Sequence, residues 1–219
     1  MSSERLTAAD RSAFFAALRR FAPLTDGDLA PIDAEARIRC LAAHTPFLEC
    51  GALAVDTGNV VSGLVREYFP LEDGREVTRG FAGPGEFVGS LSDLIAGEAA
   101  LSSAVAEIDS RLVVVPWRLV KQLVAQRPNW AAFMSRVTER LYLAKATREY
   151  ELLALDAEAR YQRFRARYAP LEPAIPLRHV ASYVGITPEH LSRLRRRLEV
   201  RIQRRDAREP SGRRRSLRV

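Results

Sequence analysis

The chain is short of the residues from which most catalytic and metal centres are built, with two cysteines and three histidines in 219 residues. Cys40 and Cys50 have no CxxC spacing and no set of histidines beside them. Neither a zinc site nor an iron–sulfur cluster can be assembled from them, and ordinary reduced thiols are expected. The GxSxG elbow, the P-loop, GxGxxG and HExxH are all missing, and two of the three histidines fall in one C-terminal stretch. Few general bases remain, so no catalytic residue, metal or cofactor is expected, and the chain does not read as an enzyme. No apolar run approaches the length of a membrane span, and MSSERLTAAD holds no signal-peptide core. A cytoplasmic protein without a membrane partner is the expectation.

Lysine is missing from the C-terminal part. Residues 156–219 hold 17 Arg and no Lys against 7 acidic residues, a net charge of +10, while residues 1–155 carry −3. A near-neutral body with a strongly basic end is the footprint of a phosphate-binding module joined to a sensing or assembly module. Double-stranded DNA is the leading partner. An anionic membrane surface competes poorly, because the tail RRDAREPSGRRRSLRV lacks the apolar face that an interfacial helix needs.

What is present is most specific in VASYVGITPEHLSRLRRRLEV, Val180 to Val200. Leu191, Leu194 and Leu198 recur at helical spacing, while Glu189, Ser192, Arg193 and Arg196 recur on another face of the same helix. Thr187 is a good N-cap, Pro188 suits the first turn, and Glu189 meets the positive end of the helix dipole. Upstream, Leu177, Val180, Ala181 and Val184 form a short stripe ended by Gly185. Helix, glycine turn and helix together predict a helix-turn-helix, whose second helix lies in the major groove with its apolar stripe on the first.

Towards the N-terminus, Phe14, Phe15, Leu18 and Phe21 predict one helix and PLTDGDLAPIDAEARI a second, capped one. From about Pro46 the period changes to that of strands. Gly63 to Phe69 and Glu76 to Phe81 flank a hairpin at Asp73-Gly74, GPGEF is a further turn, and Arg111 to Pro116 is a short buried strand. An all-β sandwich or barrel over about residues 46–116 follows, capped by the helices. After Pro128 a near-heptad seam of Trp130, Met134, Val137, Leu141, Ala144, Arg148, Leu152 and Leu155 predicts one long helix of about seven turns. A dimer seam is the leading reading, and a helix lying on its own β domain is the alternative. Asp156 then caps a basic helix, AEARYQRFRARY, before the loop LEPAIP.

In the order of these parts, and specifically in IPLRHVASYVGITPEHLSRLRRRLE, the chain resembles the Crp/Fnr superfamily of bacterial transcription regulators. The resemblance implies an α+β fold: an N-terminal β-roll, or cyclic-nucleotide-binding-like jelly roll, with capping helices over residues 1–125, a dimerisation helix over 126–155 and a helix-turn-helix domain over 156–202. Residues 203–219 read as a basic tail without regular structure. It implies a homodimer on a palindromic promoter site, with RNA polymerase as a further partner to look for. The family's E-x-x-S-R matches Glu189, Ser192 and Arg193 as base-reading residues. Arg178, Thr187, His190, Arg195 and Arg196 would hold phosphates. Family members that bind cyclic AMP carry a glutamate and an arginine that fall here on Ser90 and Leu101, beside Gly89 and Ser102. A buried phosphate facing leucine would lose its charge-assisted bonds, so cyclic AMP is not the expected effector, and the effector is left open. The iron–sulfur branch needs cysteines this chain lacks, and a haem sensor would have only His44 in the sensor half. The competing function is a ligand-binding or assembly module whose basic half binds nucleic acid without sequence preference, or a protein partner.

Overall fold

A computed structural model describes residues 4–206, and the side chains up to residue 201. Two helices open the chain, α1 (Ala8–Arg19) and α2 (Asp26–Glu35). Each begins on a threonine whose hydroxyl accepts from the N3 amide while an aspartate at N3 reaches back to the cap, a reciprocal box at Thr7/Asp10 and at Thr25/Asp28. The predicted aromatic face of the first helix is the buried one, with Phe14, Leu18 and Phe21 in the core.

The strands are β1 (Arg37–Leu41), β2 (Pro46–Leu48), β3 (Asp56–Pro70), β4 (Glu76–Ala82), β5 (Phe87–Val88) and β6 (Ser103–Pro116), with a short helix α3 (Leu91–Ala96) between the last two. All pair antiparallel in one rolled sheet of order β1-β6-β3-β4, with β2 joined to β6 and β5 to β3. The hairpin expected at Asp73-Gly74 joins β3 to β4, and Gly74 takes the left-handed φ of 82° that such a turn requires. The sheet starts earlier than the sequence suggested, because β1 precedes Pro46. β6 is also longer at its N-terminal end: SAVAEIDS contains few β-branched residues, and its strand is imposed by pairing with β3. Gly63 is forced by a close approach of those two strands. A Cβ there would lie 2.5 Å from the Ser110 Cα, at a φ of 98°.

Helices α4 (Trp117–Gln126) and α5 (Pro128–Ala154) follow the sheet. Trp130 is fully buried and its indole N–H donates to the Asp28 carbonyl at 3.0 Å, which anchors α5 to α2. The C-terminal part comprises α6 (Ala157–Tyr168), a 3-10 turn at Glu172–Ala174, α7 (Leu177–Val184) and α8 (Pro188–Asp206). Val200 and Ile202 both lie within α8. Residues 203–206, expected as the start of the tail, also continue α8; the remainder of the tail lies outside the described residues.

The long seam on α5 faces inward. Trp130 and Phe133 are buried, and Met134 and Val137 pack on the cluster formed by α1, α2 and α4. Arg148 donates to the Tyr183 carbonyl and lies 4.0 Å from the centre of that ring. The structure thus places the first turns of the predicted seam and Arg148 against the chain's own β-roll and helix-turn-helix, while Leu141 and Leu152, 39% and 47% exposed, line an open cleft. A second apolar stripe faces out, with Tyr142 71%, Leu143 57%, Tyr150 54% and Leu153 80% exposed around Ala146. Among the described residues no helix is long and apolar enough to cross a membrane.

Candidate nucleic-acid interface

Gly185 ends α7 in the left-handed conformation (φ 77°, ψ 41°), and its N–H and that of Ile186 both return to the Ala181 carbonyl. This turn sets α8 across α7. Leu191 and Leu194 are 0% and 1% exposed and pack with Val180, Ala181 and Val184, while Leu198 covers the edge of the same cluster. Ala181 is fully buried in that cluster, where a larger side chain would push the two helices apart. The Thr187 hydroxyl accepts from the His190 amide at 3.2 Å and caps α8.

With its leucines inward, α8 turns its charged side to solvent. Glu189, Arg193, Arg196 and Arg197 are exposed, Ser192 is half-buried, and His190, Arg193, Arg196 and Arg197 line an open concavity. The Glu189 carboxyl is held below its ordinary value by its own backbone N–H, then by the Thr187 hydroxyl and the Arg193 charge. It is therefore an acceptor at neutral pH, beside a guanidinium that can donate two parallel hydrogen bonds. Arg178 is exposed on α7. The arrangement can present one carboxylate, one hydroxyl and several guanidinium groups to a polyanionic groove.

Arg195 is placed differently from its sequence-based expectation. Its Nε donates to the Tyr161 hydroxyl at 2.9 Å and its Nη2 to Glu172 at 2.7 Å, so it ties α8 to α6 and the following turn. Arg201 likewise pairs with Glu158 at 2.6 Å.

In the β-roll, the positions expected to be a degenerate effector pocket are separated. Gly89 lines a cavity of about 150 Å³ under α5, together with Phe14, Leu18, Val88, Trp117, Phe133 and Met134. The buried Ser90 hydroxyl is 3.2 Å from that of Ser92. Leu101, by contrast, is 71% exposed and is not among the residues that line this cavity. Its amide donates to Asp93 at 3.0 Å, which turns the loop outward. Ser102 is buried and accepts from Arg79 at 3.4 Å. Arg79, on β4, is the residue sequence reasoning missed: with Glu67 at 3.8 Å and Lys145 it forms the cavity's charged throat, which opens into a larger cleft of about 660 Å³. Burial pushes the Glu67 carboxyl up, only partly offset by Arg79, the Gly89 N–H and Lys145. A strand alternation that places residue 79 inward was the available signal.

Residues 38–127 match the family described as "Cyclic nucleotide-binding domain". Several solved structures share the fold. FixK2 from Bradyrhizobium japonicum is 22% identical, with a TM-score of 0.67 over 76% of this chain and 85% of that one. CLP from Xanthomonas campestris, described as a c-di-GMP responsive global regulator, is 21% identical, with a TM-score of 0.62 over 80% of this chain and 92% of its own. The catabolite activator protein of Thermus thermophilus is 25% identical, with a TM-score of 0.52 over 84% and 87%. No curated protein sequence matches the chain.

Proposed function

The segment over residues 38–127 belongs to the cyclic nucleotide-binding domain family and the chain has the architecture of the Crp/Fnr regulators, and from that premise we propose that it is a DNA-binding transcription regulator acting as a homodimer on a palindromic promoter site. The observation that carries this reading is the outer face of α8, where Glu189, Ser192 and Arg193 stand together on a capped helix seated by buried leucines. Arg193 reads guanine O6 and N7, Glu189 accepts from cytosine N4, and Ser192 permits close approach. Thr187, His190, Arg196 and Arg178 hold phosphates. In this reading residues 1–125 sense, 126–155 dimerise and 156–202 bind DNA. The dimer forms through the outward stripe of Tyr142, Leu143, Ala146, Tyr150 and Leu153, an exposed apolar surface of the kind that marks an interface.

Cyclic AMP is not its effector. Ser90 offers no carboxylate to a ribose, Leu101 is at the surface, and the throat holds the carboxylate of Glu67. Selection of duplexes from a random library at near-physiological salt tests the reading. A palindrome with half-sites about one helical turn apart supports it, and recovery of random sequence refutes it. A saturable calorimetric signal on titration with micromolar cyclic AMP would refute the effector statement alone.

A further inference from the structure

The cavity under α5 has walls from every layer around it: Leu18 from α1, Ile32 from α2, Val115 from β6 and Val137 from α5 all line it. Protein interiors are close-packed, so a void of about 150 Å³ in this position is a departure that calls for an occupant. Aromatic rings dominate the lining, with Phe14, Phe87, Trp117, Trp130 and Phe133. Phe87 and Trp130 each stand edge-on to Phe133, at 6.4 and 5.1 Å between ring centres, so these walls hold one another in place. An apolar space of this size stays dry and accepts a molecule as large as benzene. One polar group on the wall is left over. Trp117 is 8% exposed, and its indole N–H has no acceptor among the described residues, whereas that of Trp130 is used on the Asp28 carbonyl.

The mouth of the cavity is charged. Arg79 and Lys145 stand there with a single carboxylate, Glu67, which is 3.8 Å from Arg79 and too far for a hydrogen bond. Of its five N–H donors, Arg79 uses one on Ser102, at 3.4 Å. Lys145 is exposed and enters no ion pair among the described residues. Two cations against one acid leave positive charge at the entrance to an apolar chamber, and burial pushes the Glu67 carboxyl up. The cleft outside adds Arg20, Arg140, Arg148 and Arg167 against Glu86 and Glu149, a field that draws anions towards the mouth. We infer that the cavity binds a small aromatic monocarboxylate of hydroxybenzoate size, its ring among the aromatic walls, its carboxylate on Arg79 and Lys145, and its ring oxygen accepting from Trp117 Nε1. The buried ring supplies affinity and the paired charge fixes orientation. Of Gly89, Ser90, Leu101 and Ser102, only Gly89 lines this cavity, so the guest is not held by the positions that a cyclic nucleotide would use. The inference rests on the regulator reading only for the guest's role as an effector; its binding is measured without DNA, so that either statement can fail alone.

The test is calorimetric titration of the full chain with para-hydroxybenzoate, benzoate, para-hydroxybenzamide and octanoate. Tryptophan emission is followed in parallel, since both tryptophans of the chain line the cavity. Para-hydroxybenzoate should saturate one site per chain with a Kd below about 1 mM and change the emission. The amide carries no charge and should bind at least about tenfold more weakly, and octanoate, which has no ring to set against the aromatic walls, should also bind more weakly. Benzoate should bind about fivefold more weakly than para-hydroxybenzoate to the wild type and equally well to Trp117→Phe. Val137→Phe, which fills the space, should abolish binding, and Lys145→Gln should weaken the acid about tenfold while leaving the amide as it was. The site is overturned by a failure of para-hydroxybenzoate to saturate below about 10 mM, by an amide or an octanoate that binds as tightly as the acid, or by unchanged affinity in Val137→Phe. Equal binding of the two aromatic acids to the wild type overturns the role of Trp117. Should Val137→Phe fail to fold by circular dichroism, Lys145→Gln decides: a loss for the acid alone supports the site, and no loss refutes it. A wild type that binds the acid but selects no duplex overturns the DNA reading and leaves the site standing.

Discussion

The two ends of the molecule treat arginine in opposite ways. In the β-roll, arginines are bound to partners: Arg111 holds Asp10 at 2.9 and 3.0 Å, and Arg66 is shared between Glu107 and Glu76. On the outer side of α8, Arg193, Arg196 and Arg197 are exposed and form no ion pair among the described residues. Net charge therefore shows where a polyanion is attracted, while pairing shows which guanidinium groups are available to it. The contrast is sharpest between Arg193 and Arg195, two positions apart on one helix. The first is open to solvent, and the second is committed to Tyr161 and Glu172.

Breaking a bound pair should have the largest effect. Asp10 is 5% exposed, caps α1 and carries both Arg111 bonds, which hold its carboxyl well below the usual range against the opposing effect of burial. Asp10→Ala should lower the unfolding free energy by about 3 kcal/mol, because Arg111 and the Thr7 amide both lose their partner. Urea unfolding at neutral pH measures it, and a loss below about 1 kcal/mol would show that the pair is as weak as a surface one.

The Arg193/Arg195 contrast comes next. Arg193→Ala should weaken binding to a selected duplex by about 1 to 3 kcal/mol, relax preference at one base pair and leave stability unchanged. Arg195→Ala should instead lower stability by about 1 kcal/mol and leave base preference as it was. Competition binding and melting of the two variants side by side check the assignment, and an exchange of the two phenotypes would reverse it.

The throat of the cavity should give a smaller, pH-dependent effect. A carboxyl whose pKa is raised on folding favours the folded state in its protonated form, and that contribution is lost as pH rises through the folded pKa. Glu67 is such a group. Measured as the difference between wild type and Glu67→Gln, stability should shift in favour of the wild type as pH falls from neutral into the acid range; a constant difference would mean that Arg79 and Lys145 fully compensate for burial. The smallest effect belongs to the tail, where Arg213→Ala should weaken all duplexes slightly and equally and reduce the salt slope of binding by about 0.9.

Where the information was local, it was legible in the residues. The Thr187 cap, the Gly185 turn, the leucine stripe and the Asp73-Gly74 hairpin are each decided within a few positions, by side-chain oxygens, positive φ and period. Strand β6 was half visible, because its first eight residues take their conformation from β3. Leu101 was misplaced because spacing from a turn does not reveal which way a loop faces.

Sequence by itself determined the order of the parts, the two faces of α8 and the basic end, since each depends on residues adjacent along the chain or one helical turn apart. Tertiary structure alone decided which of two apolar stripes on α5 turns inward, that Arg195 is committed to α6, that Arg79 enters the cavity, and that Glu107 meets His179 across 72 positions. A period marks a stripe as apolar or charged, but the surface that a stripe meets is set by chain segments brought together only when the core closes.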